Sequence, residues 1–344
     1  MTISFVFSPG TRSFEKFDNE IDRGRMFNDV VKKELIKLIT REVVMYEDQK
    51  VWFNGNFKPW KEVSIPVLSH GFSRASAIFE IFGIHVGPDG PAAFRMDEHL
   101  KRLMRSTELL EMELCYSVKE IADAVAETVR VNNMGRGLIK ILAFWGEEAV
   151  IQLVLDAKLD LAIFPVPETP DLNLDSRKPI STCLSKWRKI HPETVPVEAK
   201  ACSHYLNGYL ARKDANKRGF DVGVMAGTDG FLAEGSTESI FLIKDGVLKV
   251  PPIGRVLNSI SRKSVLEVAS VLDIPISEEA LLPDALLDAD EIFSSHTGIK
   301  VSPVNRFEER VLEAPGPVTA QLMEQMEKVL TFQDERFKKW FQPL

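Results

Sequence analysis

Pro165, Pro167, Pro170 and Pro179 fall within fifteen residues, PVPETPDLNLDSRKP, near the middle of the chain. A proline has no N–H and biases the residue before it away from the helical region, so the stretch disfavours both a helix and a central strand. It reads as a linker, placed over 166–179. At roughly 150 residues per domain, 344 residues suit two folded parts. The expected division is an N-terminal extension over 1–50, a small α/β domain over 51–165 and a larger α/β domain over 180–344.

Periodicity fills in these parts. Phe27, Val30, Val31, Leu35, Leu38 and Ile39 recur at helical spacing, which predicts an amphipathic helix over 26–45. Asn54-Gly55 between two apolar runs signals a hairpin. Asp97 is the expected N-cap of a helix through His99, Leu100, Leu103 and Leu110, and Ser117 with Glu120 forms a capping box for the next. LIKILAFW, AVIQLVL and LDLAIF then read as three strands. Beyond the linker come a strand near Ile180 to Leu184 and a helix from Ser203, capped by Gly219. Four strands around Val222, Phe231, Ile240 and Val247 suggest an antiparallel meander, with helices near 259–273 and 316–338. Helices followed by strands argue for α+β layers rather than a repeating βαβ unit.

Composition narrows the function classes. Forty-three Lys plus Arg against 50 Asp plus Glu, a net charge of -7 and no long basic block make nucleic acid a poor partner. No apolar run approaches the roughly 18 residues of a membrane span. Cys115, Cys183 and Cys202 form no CxxC pair, and the first residues lack a secretory layout, so a reduced, cytoplasmic protein is expected. The six histidines, His70, His85, His99, His191, His204 and His296, show no metal-ligand spacing, and no protein-held metal is expected. G-x-S-x-G, Walker and G-x-G-x-x-G motifs are all missing from the sequence.

Four segments, in order, carry a resemblance instead: FRMDEHLKRLMRS, EAKACSHYLNGYLARKDANKRGFD, GFLAEGSTESIFLIKDG and LNSISRKSVLEVA. Together they resemble the fold type IV aminotransferases that use pyridoxal 5'-phosphate, most of all the branched-chain enzymes. The resemblance spans about 51–304 and implies a two-domain α/β fold of the D-amino acid aminotransferase-like kind. It also implies a homodimer in which partner loops help close each site.

The resemblance places the Schiff-base lysine at Lys200 and the acidic partner of the pyridine nitrogen at Glu234. A primary amine forms an imine with an aldehyde and can also carry a proton. A carboxylate facing the ring nitrogen favours its protonated, electron-withdrawing form. Tyr205 matches the tyrosine that contacts the cofactor's phenolic oxygen, a residue D-amino acid enzymes generally lack. Arg102, Thr297 and the helix start at Ile260 and Ser261 match the phosphate cup, where unpaired amides and the helix dipole favour an anion. Phe79, Lys140, Arg74 and Gly298 fall on the substrate side.

Taken singly, these residues have plainer readings. Lys200 beside alanines suits a solvated charge, Glu234 an ordinary ion pair, Tyr205 an amphipathic helix position and Ser261 a capping hydroxyl. Arg102, beside Lys101 and Arg105, suits a solvated helix face. Trp145 and Trp187 read as core or interface anchors. The chain also departs from the branched-chain pattern: Arg74 replaces a tyrosine, Ile81 a glycine, Lys140 an arginine, Ser239 an asparagine, Val250 a threonine and Ser259 a glycine. A guanidinium at position 74 offers a bidentate grip on a carboxylate, or an outward ion pair.

The implied reaction is a ping-pong transfer of an amino group from a branched-chain-like amino acid to a 2-keto acid such as 2-oxoglutarate. D-amino acid aminotransferase, amine transaminase and aminodeoxychorismate lyase are alternatives on the same fold. A non-catalytic cofactor-binding dimer is the alternative of another class.

Overall fold

In the computed structural model, residues 46–344 are described, so the helix expected over 26–45 lies outside them. Residues 50–344 pack as one unit containing two sheets.

The first sheet opens with the Asn54-Gly55 hairpin, β1 (Lys50–Phe53) and β2 (Asn56–Pro59), both central residues having positive φ as such a turn requires. A single helical turn, α1 (His70–Ser73), leads into β3 (Ala77–Gly87) and β4 (Gly90–Phe94). Helix α2 (Met96–Leu109), the short β5 (Glu113–Leu114) and helix α3 (Val118–Val131) follow, and β6 (Gly137–Phe144) and β7 (Lys158–Pro167) complete this half. The Ser117–Glu120 capping box forms as the sequence predicts. Leu100, Leu103, Ile121 and Val125 of the two helices pack on Ile84, Ile139 and Ile141 of the sheet.

The second sheet is built from β8 (Ile180–Leu184), β9 (Val222–Ala226), β10 (Leu232–Glu234), β11 (Ser239–Lys244), β12 (Val247–Val250), β13 (Ile276–Glu278), β14 (Glu291–Ser295), β15 (Ser302–Phe307) and β16 (Arg310–Val311). Helices α4 (Tyr205–Lys217), α5 (Ile260–Val271), α6 (Ala285–Asp288) and α7 (Pro317–Leu330) accompany it. Gly219, at φ +80°, terminates α4 in the left-handed conformation expected of it. The last strand, β17 (Phe341–Pro343), crosses back to pair with β4 in the first sheet. One apolar cluster, including Phe94, Phe241, Phe293, Leu322 and Trp340, draws on both sheets, with the Phe241 and Phe293 rings stacked 4.7 Å apart.

The mixed α/β two-sheet fold matches the expected class, but six local expectations are corrected. Pro165 and Pro167 lie inside β7, opposite Ile139 and Gly137 of β6. The Glu168 N–H donates to the Arg136 carbonyl, which puts both prolines at non-hydrogen-bonded pairs, and β1 reaches only Ile163 and Ala162 on the other side. No ladder bond is lost, so the prolines are tolerated.

AVIQLVL is a loop rather than a strand, with Val150, Ile151, Leu153 and Val154 between 68% and 85% exposed. Its composition is strand-like, but no neighbouring edge receives it. The residue capping α2 is Arg95, at φ 50°, and Asp97 sits in the first turn. A tertiary contact decides this start: the buried Arg95 guanidinium lies 3.7 Å over the Trp340 ring and pairs with Glu98 and Glu267.

The expected meander separates into two hairpins, because β8, β15 and β14 come between β9 and β11. Phe231 precedes β10 rather than belonging to it. The helix expected over 316–338 ends at Leu330, and a 3-10 turn, Glu335–Trp340, turns the chain toward β17.

Candidate active site

Lys200 is tied down by its backbone before its side chain does anything. Its N–H donates to the Ser106 hydroxyl of α2 at 3.0 Å, and its carbonyl accepts from the Phe79 N–H of β3 at 3.1 Å. The next residue, Ala201, bridges to Ile78. A segment of the second half is thereby pinned to the first sheet, and the lysine is 7% exposed.

The Lys200 amine donates to the Tyr205 phenol oxygen at 2.6 Å and lies 4.6 Å from the centre of the Phe79 ring. Burial, reinforced by the Arg102 charge, lowers its pKa to about 7. A buried amine of this kind is substantially neutral at physiological pH and therefore nucleophilic. Burial, together with the Glu234 charge, pushes the Tyr205 phenol well above its ordinary value, so it stays protonated.

Lys200, Tyr205, Glu234, Arg102, Ile260, Ser261 and Thr297 all line one pocket. Ser259 caps α5, its hydroxyl accepting from the Arg262 N–H at 3.2 Å. The Ile260 and Ser261 N–H groups have no partner among the described residues, as expected of the first amides of a helix. Arg102 stands next to them, donating to the Asn258 carbonyl at 2.9 Å. Two amides at a helix start and a guanidinium form a cup for an anion.

Arg102 is not a solvated surface residue. Its Nε and Nη2 each donate to Glu80 at 2.7 Å, and His99 Nδ1 lies 2.7 Å from the same carboxylate. Burial acts to raise the Glu80 pKa, but Arg102 and His99 outweigh it and hold the group at about 2. Burial lowers His99 to about 4 against the pull of Glu80. The pair thus stays ionised while the imidazole stays neutral, which keeps the guanidinium fixed against the pocket wall.

Glu234 ends β10, and Lys189 Nζ is 2.5 Å from its Oε1. Lys189 was not singled out by sequence reasoning, and no motif spacing links it to Glu234. His99, His204 and His296 also line the pocket and were missed as site residues, since nothing in a lone histidine marks its direction. Thr297 donates to the Ile81 carbonyl at 3.4 Å, joining its loop to β3.

The four substrate-side expectations are placed differently. Phe79 stacks edgewise on Tyr205, with ring centres 4.8 Å apart. Lys140, on β6, reaches to 5.6 Å from the Phe79 ring. Arg74 is exposed and donates to the Val150 carbonyl at 3.2 Å, away from the pocket wall. Gly298 follows Thr297 but faces a second cavity. Trp145 donates to the Ala157 carbonyl against the first core, and Trp187 is 41% exposed. Among the described residues no cluster of His, Cys, Asp or Glu could hold a metal, the three cysteines are free, and no helix is long and apolar enough to cross a membrane.

Comparison with known proteins shows the family and the fold. The family model for amino-transferase class IV matches residues 77–307. The branched-chain-amino-acid aminotransferase of Escherichia coli strain K12 is 30% identical over 295 residues, 84% of this chain and 95% of that protein. A branched-chain aminotransferase from Thermoproteus uzoniensis, solved with norvaline, superposes with a TM-score of 0.81 at 30% identity, over 86% of this chain and 99% of that one. A branched-chain amino acid aminotransferase from Thermobaculum terrenum, solved in its PLP-form, gives a TM-score of 0.81 at 27% identity, over 87% and 99%.

Proposed function

Since the chain belongs to the amino-transferase class IV family, we propose that it moves an amino group from a branched-chain-like amino acid to a 2-keto acid such as 2-oxoglutarate, in a ping-pong cycle with pyridoxal 5'-phosphate in the Lys200 pocket. The observation that carries this reading is the buried Lys200 amine, held by Tyr205 in a pocket that Glu234 and the start of α5 also line. Burial keeps that amine near neutrality without a change of pH.

The residues present fit the cofactor: an amine for its aldehyde, a carboxylate for its ring nitrogen, and two free amides with a guanidinium for its phosphate. When bound, it supplies a carbonyl for covalent attachment and an electron-withdrawing ring. Lys200 would then hold or release a proton at Nζ. Tyr205 orients that nitrogen. Glu234 would favour positive charge on the ring nitrogen, and Arg102, Ile260, Ser261 and Thr297 would hold the phosphate.

On the substrate side we assign Phe79 to the pocket's apolar wall and Lys140 to the carboxylate, whereas the Gly298 N–H already donates to His296 Nδ1 and is left out of that role. The two sheets are taken as two domains meeting at the pocket, joined by the segment between the end of β7 and the start of β8, 168–179. Val67, Phe72, Ile151, Leu153 and Val154 form an exposed apolar surface, knit together by bonds from Ala149 to Leu68 and from His70 to Leu153. A patch of this kind favours association, and a second copy of the chain is its assigned occupant. Arg74 lies within it, so its grip on a substrate carboxylate would be exerted at the partner's site.

The test is a panel of L-amino acids, D-amino acids and simple amines, each given to the cofactor-loaded protein with 2-oxoglutarate, reading glutamate formed. Turnover of L-leucine, L-isoleucine and L-valine is expected. Turnover confined to D-amino acids or amines, or release of pyruvate without glutamate, would replace this reading by one of the other activities the fold carries.

A further inference from the structure

Beyond the Thr297–Gly298 turn lies a second cavity of about 370 Å³, walled by β3, the 174–177 segment, residues 298–301 and α7. Lys300 forms part of its wall while being 5% exposed. The amine donates to the Thr297 carbonyl and lies 4.8 Å from the centre of the Phe94 ring. No carboxylate pairs with it among the described residues, and the nearby Arg95 repels it. Burial, with Arg95, brings its pKa down to about 7. A buried cation lacking a counter-ion is unfavourable, and an anion is what relieves it.

The other charged groups on this wall are already matched. Arg136 pairs with Asp175 and Glu168, and Arg177 with Glu327. His85 packs against Phe94 and Phe341, and its ring nitrogens have no hydrogen-bond partner among the described residues. Burial, with Lys300 and Arg136, holds it neutral, at about 3, so it offers one N–H and one acceptor. The remaining lining includes Val301, Met323, Met326 and Leu330, which is apolar.

We propose that this cavity binds a small aliphatic monocarboxylate, its carboxylate on the Lys300 amine and the His85 N–H and its chain against Met323, Met326 and Leu330. One unmatched cation sets the charge of the ligand, and an apolar floor sets its tail. The volume is that of an ordinary small-molecule site. Because the same amine holds the Thr297 carbonyl, and Thr297 lines the active pocket, a carboxylate drawing Nζ away acts on that loop from outside. This site stands on the cavity alone, whatever reaction the pocket performs.

The probe is 4-methylpentanoate, titrated into the full-length, cofactor-loaded protein with 13C-methyl methionine, the Met323 and Met326 signals being assigned by M323L and M326L. Saturable shifts of these two signals are expected, with a Kd of about a millimolar. Since Lys300 is charged only below about 7, affinity should tighten as pH falls from 8 toward 6. Lys300→Met should weaken binding at least about tenfold, the loss of one charge-assisted bond. Met323→Trp, which fills the cavity from its partly exposed side, should abolish the Met326 shift and serves if Lys300→Met does not fold. Signals that stay still up to about 50 mM, shifts confined to methionines near the active pocket, or equal affinity in Lys300→Met would each overturn the proposal.

Discussion

The Lys200 amine and the Tyr205 phenol oxygen are 2.6 Å apart, five residues from each other in the chain and both sunk in the pocket wall. The 3-10 turn Cys202–His204 between them sets that distance, carrying the chain from the β3 contact at Ala201 into α4. Phe79 closes over both side chains. This packing removes water from the amine, which is why its proton is easily lost.

The first consequence is a pH profile. A base whose folded pKa is lowered to about 7 is neutral above that value and protonated below it. Capture of pyridoxal 5'-phosphate by the apoprotein, trapped with borohydride and measured by mass, should speed up as pH rises through about 7 and then level off. Below it, the rate should fall about tenfold per pH unit. Lys200→Met should take up no label and lose amino transfer by about a thousandfold or more.

Glu80 is the support on which Arg102 depends. Glu80→Gln leaves a buried guanidinium without its charge partner and should cost about 3–5 kcal/mol in urea unfolding. Because the folded pKa of about 2 lies below the ordinary carboxylate value, Glu80's contribution is complete above about 4.5 and is lost as pH falls toward 2. The parent should therefore lose stability over that window more steeply than the variant. Parallel stability curves would refute the assignment.

Lys189 and Glu234 make a reciprocal prediction. Removing the amine in Lys189→Met strips the carboxylate of its only charged contact at hydrogen-bond distance among the described residues. The variant should melt lower than the parent without cofactor and gain more on adding pyridoxal 5'-phosphate, since the ring nitrogen then supplies the missing cationic partner. An equal gain in the two proteins would remove Glu234 from that role.

For the apolar surface, Ile151→Asp and Val154→Asp place charges where side chains are 85% and 84% exposed in one subunit. The monomer fold should be untouched, whereas burial of each aliphatic chain against a second copy is worth about 1.5–3 kcal/mol. Sedimentation should show association weakened by roughly ten- to a hundredfold per substitution. An unchanged mass distribution would overturn the assignment of this surface to a second copy.

What could be read from the sequence unaided is local: the capping box at Ser117 and the glycine stop at Gly219 are each specified within a few residues, by backbone sterics and hydrogen-bonding chemistry. The pocket residues were legible only through the resemblance of four segments to a known family, since Lys200, Tyr205, Glu234 and Ser261 taken singly each have a plainer reading. Tertiary structure alone decided the rest. It brought Lys189 to Glu234, held Arg102 through Glu80 and His99, put β8, β15 and β14 between two consecutive hairpins, let prolines into β7 where β1 stops, and left Ala149–Leu155 without a strand to join. Each of these depends on which distant segment arrives alongside, and the free energy of such a meeting is set by desolvation and by hydrogen-bond direction in the assembled core, neither of which has a signature in a short stretch of residues.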